Sequence, residues 1–149
     1  MSGLISYTAF GMTTGNLGGV PAFAARRNGT VGNGNEVVFN EAQHNFGGHY
    51  STSNGRFTAP VSGSYYFSTA ARHNSGQAGM VDIKVDGSGS YLLVRLEYPA
   101  SYPTYSQNEV SIVYFLERGQ YVSVWVTGGQ MHWDQQWYAG FRGHMVCPQ

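Results

Sequence analysis

The chain has a single cysteine, Cys147, so it cannot close a disulfide on itself. A free thiol near the C-terminus and a bridge between chains both stay open, and the redox compartment with them. Charge is scarce as well: 11% of the 149 residues are charged, and eight basic side chains cancel eight acidic ones. A net charge near zero gives no electrostatic case for nucleic acid or an anionic membrane surface as the main partner. No run of 18 apolar residues occurs, which excludes a spanning helix. The first twenty residues, MSGLISYTAFGMTTGNLGGV, have neither a basic start nor an unbroken apolar stretch, so they do not read as a secretory signal peptide. Catalytic signatures are missing too, with no Gly-x-Ser-x-Gly elbow, phosphate-binding glycine loop or His-Glu-x-x-His pair.

What the chain has in quantity is glycine, 21 residues, and aromatic side chains, 15% of the total. That balance suits an all-β protein with many turns and rings in a pleated interior. The length fits one domain that buries about two thirds of its unfolded surface. Period-two patterns dominate: from Tyr121 to Val126, Val122, Val124 and Val126 alternate with Tyr121, Ser123 and Trp125. Val110 to Leu116 is almost continuously apolar, which predicts a strand covered on both faces, the second cover supplied by a subunit contact. Further strands are expected at about 21–27, 36–39, 64–72, 80–86, 91–98 and 137–146. Asn28-Gly29, Asn33-Gly34, Asn54-Gly55, Asp86-Gly87 and Arg118-Gly119 punctuate them as turn dipeptides. Regular strands with nothing helical between them predict a sandwich or jelly roll. Residues 1–20 are set apart as an N-terminal segment from a domain at 21–149.

Residues 39–67, FNEAQHNFGGHYSTSNGRFTAPVSGSYYF, carry the most specific pattern. Phe39, Asn45, Tyr50, Phe57, Gly63, Tyr65 and Phe67 fall at spacings that resemble the signature of the globular head domain of complement C1q. AFAARRN at 22–28 is similar to that family's first strand, 58–63 to the turn before its central strand, and WYAGFRGHMV at 137–146 to its last strand. The resemblance covers roughly residues 21–146 and departs at Thr69, where an aromatic is expected. It implies a ten-strand antiparallel jelly roll like that of tumour necrosis factor, a compact homotrimer, and a non-enzymatic binding module. Residues 1–20 show no collagen-like repeat, whereas many family members carry one before the head. Some members hold calcium through an aspartate after the glycine of the turn before the penultimate strand. Here that turn reads Glu117-Arg118-Gly119-Gln120, and the neutral Gln120 is a weaker ligand, so no cofactor is required and calcium is in doubt.

The aromatic content exceeds what one small interior readily absorbs, and Tyr66 and Tyr114 are expected to point outward into a trimer interface. Two loops are expected to bind ligand. Residues 128–138, GGQMHWDQQWY, combine flat rings with amides and a carboxylate, the pairing a pyranose needs, and supply His132, Trp133, Asp134, Gln136 and Trp137. Residues 98–105, YPASYPTY, add Tyr102 and Tyr105 on a proline-stiffened loop. His132 and Asp134 lack a third metal ligand nearby. Arg95 and Arg142 are candidates to pair with an acidic sugar. Asn28-Gly29-Thr30 is an N-glycosylation sequon as well as a turn dipeptide. The resulting expectation is a secreted, lectin-like module of innate-immune type that binds glycan or another surface pattern, with no membrane insertion. The alternatives are a structural or signalling trimer with a protein ligand, and the tip of a viral or phage fibre.

Overall fold

Alternating burial along nearly every segment sorts the chain into two faces, one dry and one wet, and the result is an antiparallel sandwich of the jelly-roll type. The computed structural model describes residues 20–74, 76–87, 92–101, 106–137 and 139–149. All but one residue of the N-terminal segment, and Tyr102 and Tyr105 of the second loop, lie outside them. Twelve strands are found among the described residues: β1 (Ala22–Arg26), β2 (Asn28–Gly32), β3 (Asn35–Val37), β4 (Glu41–Phe46), β5 (Tyr50–Ser51), β6 (Arg56–Thr58), β7 (Gly63–His73), β8 (Gly79–Val85), β9 (Leu92–Tyr98), β10 (Ser106–Leu116), β11 (Tyr121–Asp134) and β12 (Phe141–Pro148). Several have only two or three residues, which accounts for a number larger than the ten expected.

One layer runs β4-β1-β12-β7 with β10 on the far side of β7; the other is built on β11, flanked by β8 and β9 on one side and by β3, β6 and β5 on the other. β11 belongs to both. Tyr121 to Gly129 pairs in the second layer, while Gln130 to Asp134 pairs with β2 and meets Arg72 of β7. The passage is made at a register shift between Val126 and Gly128, followed by Gly129 at a φ of 55°. A Cβ on Gly129 would collide with the Ala78 carbonyl, whereas one on Gly34, at a φ of 85°, would meet nothing within 4 Å. Both positions carry the cost of an L-residue at positive φ, and only Gly129 adds an overlap with backbone. Gly34→Ala is therefore expected to cost about 1 kcal/mol and Gly129→Ala about 2–3 kcal/mol, read from the shift in urea midpoint. Equal losses would mean that the crossing is not constrained at Gly129.

The signature residues are scaffold. Phe39, Tyr50, Phe57, Tyr65 and Phe67 are all buried, and Phe23 stacks on Tyr50 with ring centroids 4.6 Å apart. The Tyr50 hydroxyl donates to the Phe39 carbonyl at 2.9 Å, and burial raises its phenol above the ordinary tyrosine range. Asn45 closes the turn to Tyr50 twice: its amide donates to the Tyr50 carbonyl at 2.7 Å and its Oδ1 accepts the Tyr50 N–H at 3.1 Å. Thr69 sits fully buried where an aromatic was expected, its hydroxyl donating to the Gly140 carbonyl at 2.9 Å. A short polar side chain is stable there because that bond satisfies it.

Candidate functional site

The expected loop at 128–138 is strand as far as Asp134, and period two divides its residues between core and surface. Trp133 points inward. It is fully buried, meets Phe39 edge-on at 5.5 Å, and donates its indole N–H to the Ala70 carbonyl at 2.9 Å. This corrects its expected role as a ligand contact, since a ring with no exposed surface cannot cover a sugar. His132 and Asp134 lie on the outer side. His132 Nδ1 is 2.9 Å from the Thr30 hydroxyl, and Asp134 faces Arg72 at 3.4 Å. Burial first, then the charge of Arg72, lowers the pKa of His132. Gln136 is exposed. Trp137 is half-buried beneath Arg26, whose guanidinium lies 3.8 Å from its ring centroid and also donates to the Gln135 carbonyl and to Glu41.

Tyr114 is corrected as well. It lies opposite the fully buried Tyr65 and packs on the core, so the outward residues of β10 are its neighbours Val113 and Phe115. Residues directly opposite in a sheet share a face, and the registers carry one row outward across five strands: Val113, Tyr66, His144, Ala22 and Phe46. Val113 is 57% exposed, Phe115 44%, Val146 53% and Phe46 51%. Large apolar side chains concentrated on one sheet face are the mark of a surface that another molecule covers. Within this face a groove of about 510 Å³ is bordered by Tyr66, His44, His144, Arg142 and Trp137. Three residues singled out from sequence for separate reasons, Tyr66, Trp137 and Arg142, thus meet in one place.

A second cavity, of about 710 Å³, opens at the other layer. Its walls come from the turn at 47–49, from β5 and β6, and from the turn at 117–120 that leads into Tyr121. Arg56 is among the lining residues. Its guanidinium makes two bonds to Glu36, at 2.9 and 3.0 Å, and lies 4.4 Å from the Tyr121 ring centroid. The bonds to Glu36 raise its pKa. His49 stands on one wall, its pKa lowered by burial. No pattern in a single window of sequence announces this cavity, because its residues come from two stretches, 48–60 and 118–121, that lie far apart along the chain. Arg95, by contrast, is committed to Asp82 through two bonds at 2.7 and 2.9 Å.

The calcium turn does not fit the ion within this chain. Asp86 accepts the Tyr121 N–H at 3.1 Å and the Gln120 amide at 3.2 Å, while Gln120 Oε1 accepts the Glu117 N–H at 2.9 Å. Calcium needs six to eight oxygens, and the described residues hold no group of three or more His, Cys, Asp or Glu suited to a metal.

Comparison with known proteins places these features. The family model of the C1q domain matches residues 22–146. The human complement C1q tumor necrosis factor-related protein 3 is 27% identical over 111 residues, 74% of this chain and 44% of that protein. The chain therefore spans less than half the length of the curated relatives it matches. Among solved structures, the globular domain of zebrafish complement 1qA superimposes with a TM-score of 0.71 at 19% identity, over 88% of this chain and all of that one. Eiger, a tumour necrosis factor from S. frugiperda, gives 0.66 at 12% identity over 87% of this chain and 93% of that one.

Proposed function

Because the chain belongs to the C1q domain family, we propose that it is a non-enzymatic, extracellular recognition head that works as a homotrimer. The observation that supports this reading is the outward apolar face of β10, β7, β12, β1 and β4. Its apolar residues form two sets, Val113 and Phe115 on the edge strand β10 and Tyr66, Val146 and Phe46 across the sheet. A threefold ring packs one set of each chain against the other set of the next, a head-to-tail contact that closes on itself. A stable contact of this kind buries about 800 Å² per partner.

A recognition role rather than catalysis is favoured by how the acidic groups are used. Glu36, Glu41, Asp82 and Asp134 each face an arginine, and Asp86 is taken up by its own turn. The ligand we assign is a glycan or similar surface pattern, taken at loops away from the assembly face, with three copies supplying avidity to a weak single site. No helix among the described residues is long and apolar enough to cross a membrane. The animal relatives favour a secreted protein over a fibre tip.

Light scattering on the full chain is the direct test. The expected mass is three times the 16.3 kDa of one chain, held through dilution to micromolar concentration. A single-chain mass under those conditions would remove the assembly reading and the avidity that depends on it.

A further inference from the structure

The cleft on the second layer has a composition that narrows its ligand. Its volume of about 710 Å³ lies within the range of about 300–1,000 Å³ typical of small-molecule sites. No carboxylate lines it. Of its two arginines, Arg56 is neutralised by Glu36 and lies against Tyr121, so it serves as structure. Arg118 is different: it is exposed at the rim, and among the described residues no carboxylate pairs with it.

The backbone that carries Arg118 is fixed from several directions. Its own N–H donates to the Ser62 hydroxyl at 3.0 Å, the Gly119 N–H donates to the Ala59 carbonyl at 2.9 Å, and the Gln120 N–H closes the turn on Glu117 at 3.0 Å. The fixed turn sets where the Arg118 side chain leaves the backbone, and its exposed guanidinium is ordered by the ligand it pairs with. The rest of the lining is mixed: Ser51, Asn54 and Thr58 offer hydroxyl and amide groups, His49 and Tyr121 add rings, and Ala59 and Pro60 are apolar. One uncompensated cation beside hydroxyl and amide groups, a tyrosine ring and a small apolar wall suits a ligand with hydroxyls, a C–H face and one anionic group. An acidic peptide is taken by clustered arginines, whereas Arg56 is already paired with Glu36 and this cleft offers one arginine, Arg118.

Resting on the recognition reading, we propose that this cleft binds an acidic saccharide, its carboxylate or sulfate on Arg118 and its hydroxyls at Ser51 and Thr58. The guanidinium suits either anion because its planar fork makes two parallel bonds to carboxylate or sulfate oxygens. None of the lining residues belongs to the assembly face, so a trimer displays three open clefts.

The test uses the full chain on immobilised lactose, its 3′-sialylated form and its 3′-sulfated form, with polyglutamate as a fourth probe. The two acidic sugars are expected to bind at least tenfold better than lactose, and their different anions show which one the site prefers. Arg118→Glu is expected to lose tenfold or more, Thr58→Glu to weaken binding by setting a carboxylate among the lining groups, and Arg118→Lys to retain part of it. Equal binding of lactose, no binding of either acidic sugar, indifference to Arg118→Glu, or equal Arg118-dependent capture of polyglutamate would each overturn the proposal. Light scattering on the same samples separates the two readings: a trimer that binds no acidic sugar removes the cleft assignment alone, and a monomer that binds one removes the assembly alone.

Discussion

Replacing Val113 and Phe115 together by glutamate is expected to turn the proposed homotrimer into folded monomer. Both side chains stand about half in water in the single chain, 57% and 44% exposed, so carboxylates there reach solvent and the fold loses little. In the assembly the same carboxylates would be driven against the apolar face of the next chain. An unpaired charge leaving water costs several kcal/mol even after relaxation, and each contact of the ring would carry two. Association is expected to weaken by more than about a thousandfold, since every 1.4 kcal/mol is a factor of ten. Sedimentation velocity at micromolar protein should then give the single-chain mass of 16.3 kDa, with an unchanged circular dichroism spectrum and a melting temperature lower by the stabilisation that association supplied. Tyr114→Glu is the counterpart. Its side chain packs on the core, so the expected outcome is lower stability rather than clean dissociation. A double glutamate variant that stays trimeric would move the interface off this sheet face.

How legible these features were in the sequence depends on what kind of rule fixes each one. Phe39, Asn45, Tyr50, Phe57, Tyr65 and Phe67 are set by local rules, a turn closed by an Asn side chain and strands that alternate, so their scaffold role can be read in order along the chain. Tyr114 is harder, because a continuous apolar run has no alternation to say which side is which. Only the register with Tyr65 and Tyr66 puts Tyr114 inside and Val113 outside. Gly128 and Gly129 read as loop because paired glycines usually break a strand. Here they let one strand pass between two layers, which extends β11 to Asp134 and carries Trp133 into the core. Asn28-Gly29, expected as a turn, opens β2 instead and pairs with Asp134 and Trp133, although Gly29 does take positive φ. The cleft around Arg118 is tertiary altogether, since the pieces that wall it lie as far apart as Gly48 and Tyr121.

Trp133 shows most sharply why a tryptophan among amides and a carboxylate can be scaffold. Trp133→Ala is expected to cost about 4–5 kcal/mol, near the top of the usual range of about 3–5 kcal/mol for emptying a buried aromatic site. Two losses combine: the ring is fully buried against Phe39, and its departure strips the Ala70 carbonyl of the donor it has at 2.9 Å. A buried acceptor left without a partner costs about 1–3 kcal/mol by itself. Against the roughly 5–15 kcal/mol that holds a typical domain, that is about a quarter of the total or more, visible as a large fall in urea midpoint. Trp133→Phe keeps most of the packing and loses the N–H, so it should recover much of the stability but not all. Trp137→Ala should cost less than about 1.5 kcal/mol, because that ring is only half-buried and its main partner is the Arg26 guanidinium. If Trp133 touched ligand, the Phe variant would bind sugar more weakly while remaining folded; a scaffold residue predicts the reverse, with stability lowered and the binding of whatever stays folded unchanged.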